Sequence, residues 1–185
     1  ANPPTAHEQK AARDNPGVRR AMAFFRLDKR TEAVREWNWT LRGMEDRELL
    51  AAADLAKRNQ IWDRAINTAD RTKSEHDFTL RFLSPYSDQV RPAAYNQSLD
   101  DVWVYGLMRQ GSRFITSAKS HVGSSGLMQL MPATAKWVAK KIGLKDFHPG
   151  RVNDTDVNVL LGTSYMRLVM EDLDNLPVLA SAAYN

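Results

Sequence analysis

The chain has 185 residues, no cysteine and a formal net charge of +4 at pH 7, and 43% of its residues are hydrophobic while 26% are charged. This composition is that of a globular protein that buries a core of its own, and it excludes disulfides, thiolate metal sites and cysteine nucleophiles. No apolar run approaches the roughly 20 residues of a membrane-spanning helix, and the opening residues have no signal-peptide pattern, so we expect any signal peptide to be absent from this chain.

The positive charge favours an anionic partner. Nucleic acid is not predicted, because the basic residues lie scattered in short pairs such as Arg19-Arg20 and Lys140-Lys141, without the aromatic and basic stripe of a nucleic-acid surface. The four histidines show no pairing at metal-ligand spacing, and the chain has no glycine-rich phosphate loop. We therefore predict neither a metal nor a cofactor.

A series of short helices is predicted for the first 71 residues. Any helix from Thr5 to Asn15 is bounded by prolines and a glycine, and four amphipathic stripes follow. Their apolar positions are Ala21, Phe24, Phe25 and Leu27; Ala33, Val34, Trp37 and Leu41; Leu49, Leu50, Ala53 and Leu55; and Ile61, Trp62, Ala65, Ile66 and Ala69. The short breaks between them indicate stacked helical hairpins that continue a longer array or pack on the following domain.

A domain junction is predicted between Thr72 and Asp100, where the helical periodicity lapses and prolines occur. We divide the chain into residues 1–80, a helical superstructure segment, and residues 81–185, a second domain. Ser98 and Asp101 have the spacing of a capping box, so the central helix of the second domain is predicted to begin there.

The strongest functional signal lies in residues 102–137. The first of them are apolar on nearly every side, which predicts a helix buried in the middle of a domain. A loop rich in hydroxyls and glycines follows, and the polar Gln129 then interrupts the apolar Leu127, Leu130 and Met131 just before a helix-starting proline. A polar side chain in such a setting lines a cleft or satisfies a neighbouring backbone group.

Three further segments complete the chain. A helix is predicted from Pro132 to Ile142, with Gly143 as its stop, and a longer one through the apolar stripe from Val157 to Val169. A last segment runs from Pro177. Since no strand pair is predicted, we expect a mostly α protein.

Four segments in this order resemble the soluble lytic transglycosylases, whose pattern is Glu-Ser-x-Phe, Lys-Ser-x-Val-Gly-x-Ser-Gly, Gly-Leu-Met-Gln-x-Met-Pro and Ala-Tyr-Asn. They are Gly111–Phe114, Lys119–Gly126, Gly126–Pro132 and Ala183–Asn185. The resemblance implies that residues 81–185 have the lysozyme-like, α-rich fold of goose-type lysozyme and follow a helical superhelix segment. In that family more residues follow the last motif, so we expect the domain to be truncated at its C-terminus.

The resemblance also implies a function. Lytic transglycosylases cleave the β-1,4 bond between N-acetylmuramic acid and N-acetylglucosamine without water and close a 1,6-anhydro ring. Peptidoglycan strands, whose lactyl and stem-peptide carboxylates suit a basic protein, are the implied partner, with cell-wall proteins as further candidates, and the bacterial periplasm is the implied location.

The resemblance implies five substrate-binding residues, Ser120, Gln129, Met131, Tyr184 and Asn185. In the family, the serine lies near the catalytic acid, the residues that Gln129 and Met131 resemble line the saccharide cleft, and the tyrosine hydroxyl points towards the glutamate and the scissile bond. Apart from the resemblance, Ser120 is equally typical of a turn hydroxyl, Met131 of a core residue, and Tyr184 and Asn185 of an ordinary helix end.

Gly111 stands where the family has its catalytic glutamate, so we expect little or no turnover. Without the resemblance, a glycine that ends an apolar helix is typical of a left-handed C-terminal stop. With it, two explanations stay open: a deliberate replacement that traps substrate or partner, and a natural loss of activity. The alternative function is a non-catalytic scaffold that binds murein or a protein partner, and a third is a helical interaction adaptor built on residues 17–71.

Overall fold

The computed structural model describes residues 1–184, and Asn185 lies outside the described residues. The chain divides into two compact units, one of residues 1–83 and one that begins at Ser84. Within the described part, regular structure is helical except for two isolated antiparallel bridges, Lys119 with Ser125 and Ser125 with Leu130. The prediction of a mostly α protein is confirmed.

The first unit holds six helices among its 83 residues. They are α1 (Ala6–Asp14), α2 (Pro16–Arg26), α3 (Arg30–Thr40), α4 (Asp46–Arg58), α5 (Trp62–Ala69) and α6 (Phe78–Arg81). Consecutive helices pack in pairs, α2 on α3 and α4 on α5, because each presents an apolar stripe that one neighbour covers. Trp37 is fully buried, and its indole N–H donates to the Thr68 hydroxyl at 2.9 Å, so the α3–α5 contact has a satisfied polar group in its core.

Arg47 ties three segments of the first unit together. Its Nε and Nη2 donate to the two carboxylate oxygens of Glu8 in α1 at 2.9 and 2.8 Å, and its Nη1 donates to Glu75 at 3.1 Å. The bidentate pair with Arg47 is the main reason that the pKa of Glu8 falls from 4.5 to about 2. Ionised Glu8 therefore helps to hold α1 against α4.

The second unit contains five α-helices among the described residues. They are α7 (Ser87–Asn96), α8 (Asp101–Gly111), α9 (Pro132–Lys141), α10 (Thr155–Asp172) and α11 (Pro177–Tyr184), with a short 3₁₀ helix at Pro149–Arg151. Helix α9 ends as predicted, since Gly143 has a φ of +74° and Leu144 N–H reaches back to Ala139 O at 2.9 Å. One face of α9 packs on Val157 and Leu161 of α10.

Helix α7 lies inside the stretch where the sequence predicted a lapse of helical order. Pro92 occupies its interior, but this proline and Asp88, the residue four positions earlier, are both exposed. Water can therefore satisfy the carbonyl that loses its amide partner. The buried Val90 and Ala94 stabilise the helix from its other face.

The start of α8 also differs from the prediction. Asp100 is its N-cap and accepts from Val102 N–H at 2.9 Å, whereas Ser98 has a φ of +53°. Ser98 instead ends α7, because Leu99 N–H returns to Ala94 O at 2.9 Å. The predicted capping box at Ser98 is wrong because the preceding helix already uses that residue.

Burial of α8 is one-sided. Val104 and Met108 are fully buried, but Val102 is 73% exposed. The prediction of a helix covered on every side is therefore wrong for the described residues, and the face of α8 that holds Met108 is the one that the unit's core stabilises.

Candidate functional site

Gly111 is the last residue of α8 and has a right-handed helical backbone. The positive φ values at this helix end belong to Arg113 (49°) and Phe114 (65°), so the left-handed stop considered for Gly111 is wrong. A Cβ atom built on Gly111 would lie 3.3 Å from Cγ of Gln129, and within residues 1–184 Gln129 is the only residue beyond the helix that it would approach within 4 Å. The backbone at this position therefore accepts an ordinary L residue whose side chain faces Gln129.

Ser112 and Phe114 fix the end of α8 against the core. The Ser112 hydroxyl accepts from Phe114 N–H at 3.1 Å and donates to Met108 O at 3.2 Å, and both residues are 3% exposed. The Phe114 ring lies 6.1 Å from that of Tyr105. Because these groups are buried and bonded, they hold the backbone of Gly111 in a defined place.

The segment from residue 118 to residue 131, called here the site loop, folds back on itself. Ser125 and Leu130 exchange two backbone hydrogen bonds of 3.0 Å, and Gly126 N–H donates to Ala118 O at 3.0 Å. Three residues of the loop have positive φ: Gly123 (98°), Gly126 (83°) and Gln129 (49°). Positive φ is unusual for a residue other than glycine, so the environment of Gln129 must favour this conformation.

The side chain of Gln129 provides the hydrogen bonds that do so. Its Nε2 donates to Ala118 O at 3.2 Å and to Gly126 O at 2.9 Å, while its Oε1 accepts from the Ser124 hydroxyl at 3.0 Å. The amide thereby cross-links three parts of the site loop. Substrate binding by Gln129 stays a prediction, and a sugar that used this amide would have to replace one of these bonds.

Ser120 belongs to the same chain of hydrogen bonds. Its Oγ lies 2.7 Å from the Ser124 Oγ and accepts from Ser124 N–H at 3.0 Å. A hydroxyl has one hydrogen, and Ser124 must use it for Gln129, so the Ser120 hydroxyl donates to Ser124. The structure thus links Ser120 to Gln129 through the hydroxyl of Ser124. The role of Ser120 towards a ligand stays a prediction.

Asn158 of α10 is a site residue that the sequence analysis missed. It is 1% exposed; its Oδ1 accepts from Met128 N–H at 2.7 Å, and its Nδ2 donates to Ser125 O at 3.2 Å and to Val152 O at 2.7 Å. A Cβ on Gly126 would come within 2.1 Å of that Nδ2, which explains the glycine. The available signal was a polar residue in an otherwise apolar helix stripe.

Tyr184 lies against the site loop from α11. Its hydroxyl donates to Met128 O at 2.9 Å, and its ring lies 5.2 Å from that of Tyr165. Burial raises the pKa of this phenol, so it stays a neutral donor throughout the physiological pH range. Asn185, predicted beside it, lies outside the described residues.

Met131 is the N-cap residue of α9 and is 39% exposed, so the core role considered for it is wrong. An exposed thioether beside the site loop offers apolar contact to a ligand, and that role stays a prediction. The gathered residues are therefore Gly111, Ser120 and Gln129, with Tyr184 bonded to the residue before Gln129.

The site has a polar and hydroxyl-rich chemistry without an acid of its own. The sequence contains no aspartate or glutamate from residue 102 to residue 145, which includes the site loop, α9 and all of α8 except its first residue, Asp101. Among residues 1–184 no three histidine, aspartate or glutamate side chains cluster as metal ligands. No helix in that part of the chain has the length and apolar character to cross a membrane. The site loop and α9 therefore carry no carboxyl group for proton transfer, and the only one on α8 is that of Asp101, ten residues before Gly111.

Two family models match this chain, one within each of the two units described above. The model described as "Transglycosylase SLT domain" matches residues 88–185, and that described as "Soluble lytic murein transglycosylase L domain" matches residues 11–74. The soluble lytic murein transglycosylase of Escherichia coli K12 is 29% identical over 167 residues, which cover 90% of this chain and 26% of that protein.

Solved structures that are similar over the whole chain include two lytic transglycosylases. An inactive Glu-to-Gln mutant of the lytic transglycosylase Slt from Pseudomonas aeruginosa is 34% identical with a TM-score of 0.88, and the 70 kDa soluble lytic transglycosylase of Escherichia coli is 27% identical with a TM-score of 0.83. In both cases the match covers 100% of this chain and 30% of the other. The chain spans less than a third of the length of these relatives.

Proposed function

The chain belongs to the transglycosylase SLT domain family, and we propose from this that its second unit is a peptidoglycan-binding lytic transglycosylase site in which Gly111 replaces the acid–base glutamate. With a glutamate at this position, the site would cleave the bond between N-acetylmuramic acid and N-acetylglucosamine and form the 1,6-anhydro product. With glycine, it binds the strand and cleaves it little or not at all.

The proposed reaction places two demands on one carboxyl group. The group first protonates the glycosidic oxygen, and its carboxylate then removes the proton from the 6-hydroxyl that attacks the anomeric carbon. Most glycosidases divide such tasks between two carboxylates. A single group must therefore be neutral at the start, so its pKa has to be raised above the ordinary value of about 4.3.

The observation that supports this proposal most directly is the direction of the missing side chain. A Cβ on Gly111 would face Cγ of Gln129 at 3.3 Å, and the backbone there is ordinary helix. A glutamate at this position would thus enter the space beside the site loop, where Ser120, Ser124 and Gln129 offer hydrogen-bonding groups. The 3.3 Å approach is close, so Gln129 would shift by a few tenths of an ångström.

The experiment compares purified murein incubated with the unaltered chain, with Gly111→Glu and with Gly111→Gln. Soluble products are analysed by mass spectrometry for 1,6-anhydro-muropeptides. The glutamine variant is the matched control, because it fills the same space without an ionisable proton. We expect release by the glutamate variant alone, at a rate at least about 10²-fold above the other two.

Equal release by the glutamine and glutamate variants would exclude Gly111 as the position of the acid. No release by any variant, with murein still bound, would favour the second candidate, a non-catalytic scaffold with Gly111 as its native residue. That candidate is supported by the lack of any carboxylate from residue 102 to residue 145. Co-sedimentation with murein separates binding from turnover.

The proposed place of action is the bacterial periplasm. Murein is found there, and the related soluble lytic murein transglycosylases come from Escherichia coli, Salmonella typhimurium and Haemophilus influenzae. A basic chain with a net charge of +4 suits a polymer that carries lactyl and peptide carboxylates.

A further inference from the structure

An open groove of about 740 Å³ runs along α2 in the first unit and is bordered on its other side by the end of α4. Four arginines line it, Arg13, Arg19, Arg20 and Arg26, and apolar side chains that include Met22 and Leu55 also face it. We call these six residues the arginine groove. It lies wholly within residues 1–83, so it is separate from the candidate site around Gly111.

Three of the four arginines have no acidic partner. Arg20 pairs with Glu36 at 2.8 Å. Within residues 1–184, however, no carboxylate lies within 4.0 Å of Arg13, Arg19 or Arg26. Three uncompensated guanidinium groups around one concave surface produce a local positive potential that an anion would neutralise.

The titration of a neighbouring acid is consistent with this field. The pKa of Asp14 is lowered, first by its pair with Lys10 and in addition by the charges of Arg13 and Arg19. Asp14 forms its ion pair with Lys10, so it offsets the charge of Arg13 and Arg19 only from beyond ion-pair distance. The arginines therefore remain available to a carboxylate, which the planar guanidinium binds in bidentate geometry.

The groove continues at the far end of α2. A second cavity of about 280 Å³ shares Met22, Arg26 and Asn59 with the first and adds Asp28 and Arg30. Arg30 is paired with the buried Asp63 at 2.5 Å, so the carboxylate of Asp28, an exposed residue, is the charge that this end presents to a ligand. The combined surface thus carries the guanidinium groups of the groove along its length and, at one end, the carboxylate of Asp28.

Its length suits a short peptide. The 11 residues of α2 span about 16 Å at 1.5 Å per residue, and an extended tetrapeptide spans at most about 14 Å. The murein stem peptide has this length and combines several carboxylates with one free amine. A uniformly anionic polymer such as nucleic acid fits less well, because Asp28 would repel it.

We propose that the arginine groove binds the murein stem peptide, with carboxylates on Arg13, Arg19 and Arg26 and the free amine towards Asp28. The choice of this ligand rests on the proposed function, which supplies murein as the substrate.

The test is an NMR titration of the full 185-residue chain with a synthetic N-acetylated alanyl-γ-glutamyl-diaminopimelyl-alanine tetrapeptide, in which the diaminopimelyl amine is the one free amine. We expect saturable amide shifts along α2 and at the end of α4, and weaker binding as salt is raised. The Arg13→Gln/Arg26→Gln double variant should weaken binding by a factor of about five to ten, since each exposed pair contributes modestly.

The matched control is Arg35→Gln/Lys57→Gln, which removes the same charge from two other exposed residues of the unit. It should leave the affinity unchanged, and a tetrapeptide with amidated carboxylates should not bind. Equal weakening by the control variant, equal binding of the amidated peptide, or equal shifts with a short oligonucleotide would overturn the proposal.

The peptide titration and the assay for anhydro-muropeptides can fail independently of each other. Shifts confined to residues 111–131 would exclude the groove and leave the murein site intact. Shifts along α2, combined with no anhydro-muropeptide release by Gly111→Glu, would support the groove and reject the catalytic proposal.

Discussion

A Cβ atom on Gly111 would lie 3.3 Å from Cγ of Gln129. This relationship makes the last residue of α8 and the site loop neighbours, although 18 positions separate them in the sequence. A side chain introduced at Gly111 would therefore contact Gln129, whose amide cross-links the loop.

Gly111→Ala should therefore be tolerated. Alanine is favoured over glycine in a helix by about 0.5–1 kcal/mol, and the close contact with Gln129 offsets part of this gain, so we expect the free energy of unfolding to change by less than about 1 kcal/mol. Gly162→Ala is the contrasting variant, because its Cβ would lie 2.3 Å from Sδ of Met128. Overpacking there should cost about 1–3 kcal/mol, and urea unfolding measures both.

Asn158→Ala should destabilise the second unit by about 2–4 kcal/mol. It removes three hydrogen bonds, to Met128 N–H, Ser125 O and Val152 O, and leaves backbone groups of a buried loop unsatisfied. Chemical denaturation is the measurement, and the exposed Asn96 provides the control, since Asn96→Ala should stay within about 0.5 kcal/mol. Equal effects of the two changes would contradict the anchoring role.

A small acid should partly restore turnover to the unaltered chain. Formate can occupy the space next to Gly111 that a glutamate carboxyl would fill, so anhydro-muropeptides should appear slowly and increase with formate concentration. The Gly111→Gln variant fills that space and should show no such increase. Failure of formate at every concentration, in a chain whose Gly111→Glu variant is active, would indicate that the acid cannot be positioned without its tether.

The sequence predicted the helices whose apolar stripes meet a partner, such as α9 and α10, because a pattern of period 3.6 reports burial on one face. Prediction from the sequence failed where the local structure depends on residues that are distant in the chain or on exposure to solvent. Pro92 suggested a helix break, but it is exposed, so water replaces the missing hydrogen bond at little cost in free energy. The positive φ of Gln129 depends on hydrogen bonds to Ala118 and Gly126. The grouping of Gly111, Ser120 and Gln129 came from the family resemblance, and Asn158 carried no motif to reveal it.

Alkaline pH should weaken the second unit through Tyr105. Burial raises the pKa of this phenol to about 12 from 10, so the folded state resists its ionisation, and the associated stability is present below pH 10 and lost as the pH rises towards 12. Tyr105→Phe should show less loss of stability between pH 10 and pH 12, measured as the urea midpoint. Tyr95 is 83% exposed, and Tyr95→Phe should keep the alkaline sensitivity of the unaltered chain.

Acid should weaken the first unit through Glu8. Its pKa is lowered from 4.5 to about 2 by the bidentate pair with Arg47, so its contribution is present above pH 4.5 and lost as the pH falls towards 2. Glu8→Gln should flatten the fall of the urea midpoint in this range. Glu32→Gln, at an exposed position of α3, should leave that fall unchanged, and identical curves for the two variants would exclude the pair as its source.

Asn158 has a consequence for how this site can be moved between proteins. The side chain that shapes the site loop belongs to α10, 30 residues after Met128, so the loop sequence alone does not encode its own conformation. If residues 118–131 were transplanted onto another helical scaffold, the loop would be disordered unless an asparagine at the matching position of a second helix were transferred as well. The smallest transferable version of this site is therefore a loop and a helix together, and recombination or design that separates them would dismantle it.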